Sequence, residues 1–271
     1  MKKLQTHMHP ELFTFQLPYY LSGIFNTHQV TIYTYAFCIV IGTLVASLYT
    51  KWRAKKDLEI KNLSNNFFYL IFIAGFVGGK LFFYLEKPSY YWNNPNLLLD
   101  NFSGGFVFYG SFITIIPIVI WYLKKHKIAI SPMLDILAIT TLIVHSIGRI
   151  GCFNAGCCYG APTNGSFGMI FPTTHNIAVH PTQLYEAITL IIILLILLVI
   201  KKRQQFSGQL FLLYVSFYAI SRAVLELFRG DKRGYIINNY LSHSQLIALL
   251  ILIGASYFYI KLKTKKFNLK I

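Results

Sequence analysis

The sequence predicts an all-α, polytopic integral membrane protein with about seven transmembrane helices, its N-terminus outside and its C-terminus in the cytoplasm. Three observations predict it. The 271-residue chain is 55% hydrophobic and only 13% charged, too apolar and too charge-poor for an ordinary soluble domain of this length. Long apolar runs alternate with short basic clusters. The basic clusters occupy every second connection, which gives the chain a direction across the bilayer. A soluble fold would have to bury all these segments in one large core, and they are too many for a chain this short.

The spans fall at roughly 30–50, 67–85, 106–123, 131–148, 182–200, 208–228 and 244–261. Span one opens on Tyr33 and Tyr35 and closes on the basic loop KWRAKKDLEIK. Span two runs outward and carries Lys80 in its outer half. Span three has Tyr109 on its first turns and ends at KKHK. Span four ends in ITTLIVHSI, with Arg149 at its outer end. Span five begins with HPTQLYE, which places His180, Gln183 and Glu186 near the outer surface, continues as AITLIIILLILLVI and stops at KKR. Span six carries Tyr218, Arg222 and Glu226 at intervals of four, on one helical face, and Arg229 extends the row. Span seven leads into the tail KLKTKKFNLK. The other side holds only Lys2, Lys3, Lys87, Arg149, Arg229, Lys232 and Arg233, so the positive-inside rule sets the orientation.

The net charge of +16 then needs no nucleic-acid partner, because it lies mostly in loops facing an anionic leaflet. Residues 4–22 are too polar and too broken by proline for the apolar core of a cleavable signal peptide. Residues 1–271 read as a single transmembrane domain, with no repeat and no long linker.

Ionisable groups inside spans are costly and usually functional. The candidates placed above all fall in the outer half of the bilayer, which points to one site open to the outer leaflet. Two or three cations at headgroup depth suit a phosphate, and arginine offers it a two-donor fork. The loop GRIGCFNAGCCYGAPTNG adds glycines that let backbone amides approach the same anion. A phospholipid headgroup is therefore the expected ligand. Glu186, Glu226, His180 and Tyr109 are the candidate acid–base groups. The bland alternative is interhelical glue, with Arg222 paired to Glu226 or Glu186. A transporter is a further alternative, but it needs polar groups reaching the cytoplasmic half.

Cys152, Cys157 and Cys158 have the spacing C-x4-C-C, which is not a C-x2-C metal pair. Cys152 is within reach of a disulfide with either neighbour in an oxidising exterior, and His145, seven residues earlier, allows a mixed metal site. The favoured reading is that small residues let this loop pack tightly, with no metal; Cys38 in span one reads as packing too.

GRIGCFNAGCCYG resembles the signature of the prolipoprotein diacylglyceryl transferase family, G-R-x-G-N-F-x-N-x-E-x-x-G. TYAFCIVIG, SGGFVFYGSFI and HPTQLYEA agree in order and position, and YAISRAVLELFRGD resembles the family's Y-x-x-x-R-x-x-x-E-x-x-R segment. The resemblance runs from about residue 30 to 260. It implies an enzyme of the bacterial cytoplasmic (inner) membrane with seven spans. That enzyme transfers a diacylglyceryl group from phosphatidylglycerol to the lipobox cysteine thiol at the signal peptide of a prolipoprotein, and it uses no cofactor. It implies that Arg149 and Arg222 hold the phosphate and that Glu226 orients Arg222 or the substrate. Tyr35 and Tyr218 line the site, and Gly160 is a close-approach glycine. Lys80, Gly104, Gly105, His180, Gln183 and Glu186 are the other expected substrate-binding residues. The chain departs from the family at Cys152 (Asn), Cys157 (Glu), Tyr109 (His) and Lys80 (Arg in many members). Tyrosine, with an unperturbed pKa of about 10, is a poor base. The departures also permit a paralogue that acts on another lipid or thiol.

Overall fold

A computed structural model describes residues 4–5, 10–16, 29–100, 107–230, 235–237 and 241–268. Its long helices, in chain order, are α1 (Thr34–Asp57), α2 (Asn65–Leu85), α5 (Phe108–Lys125), α6 (Ile130–Asn154), α7 (Thr182–Lys201), α8 (Gln209–Leu225) and α9 (His243–Asn268). Two short helices, α3 (Pro88–Asn93) and α4 (Leu97–Asp100), lie between α2 and α5.

Six helical segments among the described residues are long and apolar enough to cross a membrane: Thr34–Asp57, Asn65–Leu85, Ile130–Asn154, Thr182–Lys201, Gln209–Phe228 and Ser244–Lys265. Only 11% to 39% of each apolar window is buried. Leu44, Leu48, Val77, Leu195, Val199 and Ile260 are each more than half exposed. Apolar surface on that scale requires a lipid solvent, and the protein is a multi-pass membrane protein. α5 occupies the third expected span and is not among the six; it carries Pro117 and closes on Lys124 and Lys125.

Among the described residues, strands lie before α1 and in the connections between helices. β1 (Leu4–Gln5) pairs in parallel with β4 (Met169–Ile170), which pairs antiparallel with β5 (Ala178–Val179). β2 (Glu11–Gln16) pairs antiparallel with β3 (Gln29–Tyr33), and β6 (Tyr235–Ile237) with β7 (Leu241–Ser242).

The chain forms two compact units, Met1–Thr50 with Leu134–Ile271, and Lys51–Met133. In the first, α7 buries one stripe at helical spacing: Gln183, Glu186, Ala187, Leu190, Ile193 and Leu197. Its apolar end joins Ile139, Leu142 and Leu210 in a fully buried cluster. The polar residues at its start belong to the site described below. Asp135, itself buried, accepts hydrogen bonds from the backbone N–H groups of Gly208 (2.6 Å) and Phe211 (3.0 Å) and from Gln204 Nε2 (2.6 Å). It thereby caps α8 from a neighbouring helix, satisfying orphan donors and the positive end of the helix dipole.

In the second unit, α2 and α5 meet at small residues. A Cβ on Gly78 would collide with the Gly110 carbonyl and the Thr114 side chain, and one on Gly110 with the Gly78 carbonyl and Phe82. That close approach lets Ser111 Oγ donate to Gly75 O (2.6 Å) and Thr114 Oγ1 to Ala74 O (2.8 Å). Small residues and hydroxyl bonds are the usual means by which helices associate in lipid, where hydrophobic burial no longer drives contact.

Candidate functional site

Four helix ends of the first unit supply the site. α6 arrives with His145 and Arg149 in its last turns, α7 departs with Glu186 in its second turn, α8 arrives with Tyr218 and Arg222, and α1 departs with Tyr35. Glu186 is the centre. Arg149 Nε lies 3.0 Å from Glu186 Oε2, and His145 Nε2 lies 3.3 Å from Oε1. The Tyr218 hydroxyl donates to the same Oε1 at 3.3 Å, and its ring meets that of His145 edge-on. A buried carboxylate is tolerable here because a cation, an imidazole and a phenol all converge on it.

Arg222 forms its own ion pair one turn along α8, with Nη2 at 2.9 Å from Glu226 Oε2. Both arginines lie within electrostatic reach of Glu186 and Tyr218, so the two pairs form one charged cluster. The arginines keep donors in hand. Arg149 uses only Nε in its contacts with Glu186 and His145 (3.4 Å), and neither of its Nη atoms has a hydrogen-bond partner among the described residues. Arg222 Nη1 is buried with no hydrogen-bond partner among the described residues. Unused donors of this kind suit an anion with several oxygens.

His145 Nε2 faces two partners that it cannot satisfy in one protonation state. Protonated, it donates to Glu186; deprotonated, it accepts from Arg149 Nε. Sequence reasoning weighed His145 only as a neighbour of the cysteines. The signal available was its position one turn before Arg149, on the same face of α6.

The loop after α6 is tightly bonded. Gly160 N–H donates to His180 O (2.8 Å), Ala161 N–H to Phe228 O (2.8 Å), and His180 N–H to Ala161 O (3.0 Å). A Cβ at Gly160 would strike the Phe228 carbonyl. Gly160 is thus a close-approach glycine, but the approach is to the protein's own backbone, and its amide is already engaged. The His180 side chain faces Tyr185 (Nδ1 to the hydroxyl, 3.3 Å) and the Phe228 ring, apart from the hydrogen bonds that reach Glu186. Gln183 is fully buried, and its Nε2 donates to Cys157 O at 2.5 Å. Tyr35 opens α1 with its backbone against Gly151, and its side chain is 43% exposed.

The three loop cysteines, separated by uninformative spacing, are together in space, with every sulfur within 4.8 Å of the others. The neighbouring Cys152 and Cys157 thiols hold the Cys158 thiol below the usual thiol range, with help from Arg149 and Arg229, while burial opposes them. Lys80 and Tyr109 belong to the second unit. Lys80 is buried there, with its ammonium 5.6 Å from the Phe83 ring centroid. Tyr109 lies in the first turn of α5, with its side chain outside the described residues, as are Gly104 and Gly105 altogether.

The family model for prolipoprotein diacylglyceryl transferase matches residues 22–261. Curated relatives named phosphatidylglycerol–prolipoprotein diacylglyceryl transferase include one from Clostridium tetani, 36% identical over 234 residues, covering 85% of this chain and 93% of its own length. Another, numbered 2, from Clostridium perfringens is 32% identical over 241 residues (87% and 93%). A third, from Rickettsia felis, is 31% identical over 247 residues (86% and 93%). A match that spans nearly all the helices, and includes the arginine cluster around Glu186, makes this chain a member of the prolipoprotein diacylglyceryl transferase family.

Proposed function

We propose that the protein transfers the diacylglyceryl group of phosphatidylglycerol to the lipobox cysteine thiol of a prolipoprotein, the first step of bacterial lipoprotein maturation. The observation that carries this reading is the pair of half-buried arginines with unused donors, Arg149 held by Glu186 and Arg222 by Glu226, both within electrostatic reach of Glu186. Family membership supplies the substrates.

In this reading the thiol sulfur attacks the glyceryl carbon bound to the phosphate oxygen. A C–S bond forms, the C–O bond breaks, and its electron pair leaves on glycerol phosphate. The phosphate passes from one negative charge towards two, and that increment is what Arg149 and Arg222 stabilise. The thiol proton must go elsewhere. We assign it to His145 Nε2, because Glu186 and Arg149 flank that nitrogen and suit its protonated and neutral forms in turn. Tyr218 and Glu226 position the carboxylate and the second arginine.

We place the site toward the outer leaflet of the bacterial cytoplasmic membrane, with seven spans that include α5, on the strength of the basic loops at alternate turns. The test is an assay of the purified protein with phosphatidylglycerol and a lipobox peptide, following glycerol phosphate release and thioether formation. Release in step with peptide lipidation supports the proposal. Lipidation from another phospholipid, and none from phosphatidylglycerol, would identify a paralogue.

A further inference from the structure

We propose that Cys152, Cys157 and Cys158 form a three-thiolate site for a divalent metal ion of the zinc class. The structure builds it from the end of α6. Cys157 N–H donates to Cys152 O (3.2 Å) and Gly156 N–H to Phe153 O (3.0 Å), with Gly156 at φ 66°. This is a Schellman cap, and Cys152 and Cys157 occupy the two positions whose side chains the cap brings into contact. Cys158 then takes a left-handed backbone conformation, φ 64°, which is uncommon for a residue with a side chain. It turns the third thiol back onto the same side, and its sulfur lies 3.7 Å from that of Cys157.

That separation suits one ion. Two thiolates about 2.3 Å from a tetrahedral zinc stand roughly 3.8 Å apart. The widest separation of the three sulfurs is within 4.8 Å, so about 1 Å of side-chain adjustment closes the set. The backbone holding them is already fixed. Thr182 Oγ1 donates to Cys158 O (2.9 Å) and Gln183 Nε2 to Cys157 O (2.5 Å), both from the start of α7. Charge agrees too. Three thiolates on a divalent ion carry one net negative charge, and Arg149 and Arg229 lie within electrostatic reach of Cys158. Cys157 and Cys158 are exposed, so an ion can enter and the fourth position is open to water. Each thiol releases its proton to solvent on binding.

The full-length protein, purified in mild detergent without chelator, tests this independently of transferase activity. We expect about one zinc per chain by elemental analysis and, after exchange, a cobalt spectrum with intense thiolate-to-metal bands of tetrahedral type. Cys152→Ser, Cys157→Ser and Cys158→Ser should each lower metal content at least tenfold, whereas Cys38→Ser should not. Should a serine variant fail to fold, the cobalt spectrum of the unaltered chain still decides. Three results would each overturn the site: a cobalt spectrum without thiolate bands, thiols that, once the metal is stripped with chelator, alkylate equally fast with and without added zinc, or a disulfide joining Cys152 to either neighbour. Loss of zinc with transfer intact, or loss of transfer with zinc intact, separates this inference from the proposed function.

Discussion

Arg222 and His145 carry the sharpest expectations at the residue scale. If Arg222 clamps the donor phosphate through Nη1 while Nη2 holds Glu226, lysine keeps the charge but loses the planar fork that reaches both groups from separate nitrogens. Removing such a charge-assisted bond costs roughly 1.5–3 kcal/mol. Arg222→Lys should therefore slow glycerol phosphate release at least tenfold at matched membrane expression. If Arg222 served only to pair with Glu226, the lysine variant would keep nearly full activity, and Glu226→Gln would be the more damaging change. For His145, whose Nε2 stands 3.3 Å from Glu186, His145→Ala should lower kcat by about a hundredfold to ten-thousandfold, the usual span for a lost general base. Near-unchanged kcat in a folded His145→Ala variant would reduce His145 to a structural partner of Glu186.

At the scale of elements, two contacts set the helices and can be broken singly. Asp135 is the acceptor for the first turn of α8, and Asp135→Ala would leave the Gly208 and Phe211 N–H groups and the Gln204 amide buried without it. The expected loss is on the order of 3 kcal/mol, read as a lower midpoint of thermal unfolding in detergent. Asp135→Asn, which keeps one acceptor oxygen, should lose less. In the second unit, Gly110→Val would drive a branched side chain against the Gly78 carbonyl and Phe82, and the backbone carbonyl cannot rotate away. Overpacking of this kind costs about 1–3 kcal/mol. The variant should show a reduced folded yield by size-exclusion chromatography, whereas Gly254→Val, on α9 with nothing near its Cβ position, should not.

For the whole molecule, the basic clusters at the C-terminal ends of α1, α5, α7 and α9 alternate along the chain, and from them we predict that the termini lie on opposite sides of the membrane. A reporter fused to the C-terminus should be active only when it is of a kind that works in the cytoplasm. Activity of an externally working reporter there would reverse the orientation and move the arginine cluster to the inner leaflet.

Most of the span positions, the polar row on the sixth span, and the family signature were legible in the sequence, because hydropathy, four-residue spacing and motif order are local properties of the chain. The row Tyr218, Arg222 and Glu226 on one face of the sixth span is an example: the pair Arg222–Glu226 follows from spacing alone. What joins distant segments was not legible. That Arg149 and His145 share Glu186, about forty residues on, depends on where α7 begins relative to the end of α6, and the loop between them sets this through Gly160, Ala161 and His180. Asp135 drew no attention in the sequence, because its role as acceptor for Gly208 and Phe211 depends on where α8 packs. The cysteines show the division most plainly. Their spacing matches no metal pair, yet one Schellman turn and one left-handed residue bring three sulfurs together, because sequence distance does not measure separation where the chain reverses.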